Sequence, residues 1–335
     1  MVRSTLQKRN LVKERRAFVR AAAGSLLFIP LRAFAQPSTP KVARIAILSP
    51  GANESRSVFT AFRTQLRTLG YEEGRDIALE FFFAKGSEEL AALAQAIVRK
   101  RVDIVLADGR LAAQAMQAAS RTMPVVAVAG EPVLNGLAAS LVRPGGNVTG
   151  VATMAVELWA KQIEFLHEIL PAARRIGVVD ASKQPGAAYS SSEERAAALR
   201  VALRRIVIQT RADAERELAP AALSDIDGLV LPANALIGGL IAPLVRLIQA
   251  AGKPAIYGEK DFVAAGGLVF YGFDIDEAFR RCAGVVDRVL KGADPATTPF
   301  EQPTRIALVV NVKAARALGL KFPHTVIARA DEVIQ

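Results

Sequence analysis

The feature that most constrains the fold is a twice-repeated alternation of short, β-rich apolar runs with Ala/Leu-rich segments of helical length. The first series reads as strand 42–48 and helix 55–69, strand 77–83 and helix 88–99, strand 103–107 and helix 112–120, then strand 125–128. Apolar runs of this length, spaced by helices, belong to strands covered on both faces, which implies a mainly parallel sheet with helices above and below. Turn formers at Arg143-Pro144-Gly145-Gly146-Asn147 break the pattern. A second series opens on 148–153 and continues as helix 157–170, strand 176–179, helix 193–204, strand 206–209, helix 214–223, strand 228–231, helix 237–250 and strand 255–257. Strand 268–273, helix 277–290 and strand 306–310 exceed what this second unit requires and are expected to cross back. The 300 residues that follow position 35 are also more than one hydrophobic core serves. The expected fold is therefore α/β, with two doubly wound Rossmann-like lobes on parallel sheets. Residues 41–152 with 276–303 make one lobe and 153–273 with 306–335 the other, joined by three hinge strands near 150, 272 and 304.

The first 35 residues read as a targeting segment rather than part of this fold. Arg3, Lys8, Arg9, Lys13, Arg15, Arg16 and Arg20 stand against one acid, Glu14, and an apolar run over 21–31 follows. Ala33-Phe34-Ala35 places small residues where a signal peptidase needs them, so cleavage is expected after Ala35. Arg15-Arg16 before Ala17-Phe18-Val19 is similar to the twin-arginine export motif. An apolar run this short falls well below the roughly 20 residues of a membrane-spanning helix.

Removing that segment changes the electrostatics. It carries eight of the 43 Lys/Arg and one of the 32 Asp/Glu, so the net charge of +11 falls to +4 and no concentrated basic face remains to suggest a nucleic-acid partner. One cysteine, Cys282, excludes an internal disulfide and reads as a buried helix residue; His167 and His324 lie apart and form no Cys/His cluster of metal-ligand spacing. No glycine-rich dinucleotide loop follows the first strand and no phosphate-loop lysine motif is present. An enzyme would need a poised base or nucleophile, and the two histidines stand away from the expected ligand loops. Neither a catalytic residue, a metal nor a cofactor is expected.

Several stretches, in order, resemble the ABC transporter substrate-binding family related to tryptophan/tyrosine-type binding proteins. They are 47–51, 69–75, Gly130-Glu131-Pro132-Val133, the segment 140–151 with its Arg-Pro-Gly-Gly-Asn-Val-Thr-Gly core, 254–258, 265–268, 317–320 and 328–334. The resemblance implies a type I periplasmic-binding fold and a periplasmic, monomeric binder that hands a small polar or aromatic, amino-acid-like solute to an ABC permease and ATPase. A sensory protein presenting its ligand to a membrane receptor is the alternative the same closure would serve.

In such a fold ligands sit beyond the carboxyl ends of the parallel strands, which selects loops independently of any family. From the first lobe these are 49–53, 108–110 and 130–133; from the second, 180–184, 232–234 and 257–260. Candidate ligand residues are Ser49, Gly51, Asn53, Asp108, Gly130, Glu131, Asp180, Asn234 and Tyr257. Ser49 and Ser55 offer hydroxyls and Gly51 close backbone approach to a carboxylate, with helix capping the other reading of Ser49. Glu131, where the family commonly has an aspartate, is suited to a ligand ammonium, or else to a helix cap or a closure salt bridge. Tyr257 is placed to stack on a flat ligand, or else in the core. Asp108-Gly109-Arg110 departs from the glycines and threonine of relatives and suggests a charge pair there, and 180–185 lacks their asparagines.

Overall fold

The computed structural model describes residues 42–335 apart from 52–55 and 304; the expected signal segment, the cleavage site, Asn53 and Ser55, and the hinge position at 304 lie outside the described residues. The first sheet is built from β1 (Ala43–Pro50), β2 (Ile77–Ala84), β3 (Ile104–Asp108), β4 (Val125–Ala129) and β5 (Val148–Ala152) in the order β2-β1-β3-β4-β5, and every pairing is parallel. Side chains alternate across it with the period of two that a strand imposes. Ile45, Ile47, Ile104, Leu106, Val126 and Val128 face one core, and Ala46, Leu48, Val105, Ala107, Val125 and Ala127 the other. Helices α1 (Ser57–Thr68), α2 (Leu90–Lys100) and α3 (Arg110–Ala119) cover these faces, with Phe59 and Phe62 of α1 on the first and Ala94, Ile97 and Met116 of α2 and α3 on the second.

Gly150 shows why the Val-Thr-Gly run in β5 is so restricted. Its φ is +141°, and a Cβ placed on it would lie 2.0 Å from the carbonyl oxygen of Ala127 in the neighbouring strand. Only glycine lets β4 and β5 approach this closely.

The second sheet contains β6 (Arg175–Asp180), β7 (Ala202–Val207), β8 (Gly228–Leu231), β9 (Ala255–Tyr257), β10 (Val269–Phe273), β11 (Ile306–Asn311) and β12 (Glu332–Ile334), in the order β12-β11-β10-β9-β8-β6-β7. It is parallel except at β10–β11, which pair antiparallel. Helix α4 (Ala155–Ile169) buries Ile163, Phe165 and Leu166 against Ile176, Val178 and Val230; Ile256 and Val269 belong to the same core. The opposite face carries Val179, Leu229, Leu231 and Tyr257.

Two helices stand earlier than the sequence suggested. The helix expected over 193–204 is α5 (Ala187–Ala198), and the strand expected over 206–209 is β7. A serine run, Ser190-Ser191-Ser192, masked the helix start, yet Tyr189, Ser192 and Ala196 are buried and the Ser192 hydroxyl donates to the Ala188 carbonyl at 2.7 Å. Arg200, at φ +59°, then turns the chain into β7. The helix expected over 214–223 is α6 (Arg211–Glu217), started by a capping box in which Thr210 accepts from the Asp213 N–H and the Asp213 carboxylate accepts from the Thr210 N–H.

The remaining second-lobe helices are α7 (Ala235–Gly238), α8 (Ile241–Ala250) and α9 (Asp261–Ala264). The chain leaves the first sheet after Ala152 and enters α4. It leaves the second sheet after Phe273 and forms α10 (Ile275–Leu290), whose Ala278, Phe279, Cys282, Ala283 and Val286 pack into the core of the first lobe. Past Glu301, hydrogen-bonded to Gly150 and Ala152, it returns to β11 and ends with α11 (Val312–Ala317), α12 (His324–Arg329) and β12. Positions 150 and 272 thus lie inside strands β5 and β10, and the crossings follow a few residues later.

Candidate functional site

The carboxyl ends of β1, β3 and β4 meet those of β6, β8 and β9 across a cleft whose cavity measures about 130 Å³. Asp108 closes β3 and is buried; the Ser49 hydroxyl donates to its Oδ2 at 2.6 Å, and Arg56 Nη1 donates to the same oxygen at 2.8 Å. Arg56, immediately before α1, also donates through Nη2 to Glu259 of the second lobe at 3.3 Å. The guanidinium and its two carboxylates are 9, 5 and 4 % exposed, so this bridge between lobes is nearly water-free. Burial works against the charge of Arg56, but Asp108, Glu259 and Asp261 more than offset it and its pKa is raised. Burial raises the Glu259 carboxyl too, with Arg56 only partly opposing it. Glu259 Oε1 accepts from the Asn234 N–H, and the Asn234 side chain in turn caps α7 by accepting from the Leu236 N–H.

The loop after β4 holds Glu131 at φ +47°, a left-handed conformation unusual for a glutamate. Asn135 fixes it by donating to the carbonyls of Gly130 and Glu131 at 2.8 and 3.0 Å. Glu131 Oε1 accepts from the Val156 N–H at the start of α4, while Oε2 has no partner among the described residues. Across the cleft, Asp180 closes β6, accepting from the Ser182 N–H at 2.9 Å and from Arg205 at 3.0 Å. Arg110 Nη2 spans the gap to the Ser182 hydroxyl at 3.2 Å, and Ser57 donates to Asp261 at 3.1 Å. Trp159, Tyr189 and Phe273 supply aromatic walls.

Of the residues singled out from the sequence, Asp108, Gly130, Glu131, Asp180 and Asn234 line this cavity; Ser49, Gly51 and Tyr257 do not. Ser49 is fully buried and donates its hydroxyl to Asp108, which holds it behind the cavity wall. Gly51 packs against Leu236 across the lobes. Tyr257, 1 % exposed, stacks on Phe262 at 4.7 Å, with its phenol pushed well above the usual range by burial. Its side chain projects from the sheet face into the core, and Glu259, two residues on, reaches the cleft instead. The Asp108–Arg110 pair suggested by the sequence does not form, because Asp108 is taken by Arg56. Arg56, Glu259, Trp159 and Tyr189 were not singled out, since nothing local marks residues whose partners lie in the other lobe. Among the described residues no cluster of three or more His, Cys, Asp or Glu is arranged to hold a metal ion.

Comparison with known proteins supplies the context for this geometry. A family model described as "ABC transporter substrate binding protein" matches residues 41–334. A tyrosine-binding protein of Clostridioides difficile (strain R20291) is 24 % identical over 266 residues, covering 78 % of this chain and 76 % of that one. A Streptococcus pneumonia structure, an ABC domain in complex with L-Trp, superposes with a TM-score of 0.77 at 23 % identity, over 88 % of this chain and all of the other. A ligand-free, open substrate-binding protein with adhesive properties from Clostridium difficile gives 0.56 at 21 % identity over the same shares. The fold is thus that of type I periplasmic-binding proteins, with two sheets of mostly parallel strands.

Proposed function

Because the chain belongs to the ABC transporter substrate binding protein family, we propose that it is exported to the periplasm, captures a small amino-acid-like solute between its lobes, and delivers it to an ABC permease and its ATPase. The observation that carries this is the cleft itself: strand-end residues of both lobes, Asp108 and Glu131 from one and Asp180 and Asn234 from the other, line one small cavity. A solute held by both sides favours closure through its differential affinity for the closed state. The higher TM-score against the L-Trp complex than against the open, ligand-free protein supports reading the present arrangement as the closed one.

The two moving bodies are then 41–152 with 276–303 and 153–273 with 306–335, and the crossings between them are the hinges. Glu131 Oε2 takes the ammonium of the solute, while the aromatic walls take a flat side chain. On this reading the protein is a binder rather than a catalyst: Asp108, Asp180 and Glu259 are each paired with a guanidinium, and the remaining oxygen of Glu131 serves the ammonium of the solute. The protein works as a monomer, freed of its first 35 residues by cleavage after Ala35, with export by the twin-arginine route.

Calorimetric titration of the 36–335 form with L-tyrosine, L-tryptophan and a panel of small polar solutes tests this. The reading expects one solute to bind with unit stoichiometry and to raise the melting temperature. A panel in which nothing binds, with the protein folded, contradicts it.

A further inference from the structure

Three arginines stand at or beside the cleft, and their partners set one apart. Arg56 is paired with Asp108 and Glu259, and Arg205 with Asp180 and the carbonyls of Ser182 and Lys183. Arg110 lines the cavity and, among the described residues, has no carboxylate within ion-pair distance; its two contacts there are neutral, Nη1 to the Gln114 side chain at 2.9 Å and Nη2 to the Ser182 hydroxyl at 3.2 Å. Burial depresses its pKa and Asp180, too distant for an ion pair, only partly opposes this, so the charge is incompletely compensated. A half-buried cation is costly unless something anionic completes its shell.

The side chain is also held in place. Gln114, one turn along α3, accepts from Arg110 and donates through Nε2 to the Asn135 carbonyl at 3.2 Å. Asn135 in turn fixes the Gly130–Glu131 backbone. Arg110 and Glu131, a cation and an anion of the cleft that lack ionic partners among the described residues, are thereby mounted on one hydrogen-bonded frame.

We propose that Arg110 is the residue that selects a carboxylate-bearing solute, its guanidinium taking the carboxylate together with the Ser182 hydroxyl from the opposite lobe. This rests on the solute-capture reading above and names the anionic group that the solute must carry. Because Arg110 and Ser182 belong to different lobes, the carboxylate is what draws them together. A guanidinium offers paired N–H donors matched to a carboxylate, whereas a neutral carboxamide satisfies them poorly.

The test compares L-tyrosine, L-tryptophan, phenylpropionate and indole-3-acetate with their carboxamides, by calorimetry on the 36–335 form and its Arg110→Met and Arg110→Lys variants. The wild type is expected to prefer the carboxylate over the matching carboxamide by at least about 30-fold. Arg110→Met should bring that ratio near one, and Arg110→Lys should restore part of it. An unchanged ratio in Arg110→Met, or equal wild-type affinity for both forms, overturns the assignment while leaving solute capture intact. Binding of neutral solutes alone does the same, and binding of no solute at all removes both readings.

Discussion

Replacing Arg56 by methionine should destabilise the closed arrangement more than any other single change at the cleft. The guanidinium is 9 % exposed and serves two buried carboxylates, one from each lobe, at 2.8 and 3.3 Å. Removing one member of a buried ionic group leaves the others desolvated without compensation, at a cost of about 3 kcal/mol or more. For a chain of this length that is a melting-temperature fall of roughly 5–10 °C. The loss should also depend on pH. Glu259 already has a raised pKa through burial, and Arg56 is the group that opposes the rise. A carboxylate whose folded pKa lies above its unfolded value is no burden below the unfolded value, near 4.3, and becomes one as pH rises through the folded value. Arg56→Met should therefore lie closest to wild type near pH 4 and fall behind as pH increases, and Arg56→Met/Glu259→Gln should recover part of the loss at neutral pH. Urea denaturation across pH 4 to 8 measures this. A loss under about 1 kcal/mol that is flat with pH would refute the reasoning.

Gly150→Ala forces a Cβ to within 2.0 Å of the Ala127 carbonyl at a φ of +141°; it should cost about 3 kcal/mol or more in chemical denaturation, or prevent folding. Cys282 is fully buried in the first lobe, and burial drives its thiol well above the usual range; a thiol reagent should find no reactive group in the native protein and one after denaturation. All four tyrosines have raised pKa values, Tyr71 to about 12 through burial and its hydrogen bond to Asp287. Their contribution to stability is complete below pH 10 and is lost as pH rises toward 12, so phenolate absorbance should appear with unfolding rather than near pH 10.

The alternation of apolar runs revealed the two mainly parallel sheets because strands buried on both faces read as continuous apolar runs, a pattern that does not announce the antiparallel β10–β11 pair. The Arg-Pro-Gly-Gly-Asn-Val-Thr-Gly segment marked the first crossing for a local reason, the tight β4–β5 contact at Gly150. Strand-end geometry likewise located Asp108, Glu131 and Asp180. It failed at Tyr257, since a residue at a strand end can still project from the sheet face into the core. It also failed for the Arg56–Glu259 bridge, whose members are 203 positions apart and form no local pattern. Helices α5 and α6 were displaced because serine-rich and capping sequences were read as loop, while burial against α4 and the Thr210 cap decided otherwise.

Trp159 is the single tryptophan of the chain and lies in the wall of the cleft, so its fluorescence reports directly on what enters. Solutes that raise the melting temperature of the 36–335 form should shift or quench Trp159 emission saturably, with the same midpoint as in calorimetry. A solute that stabilises the protein while leaving that emission unchanged would place binding elsewhere and contradict capture between the lobes.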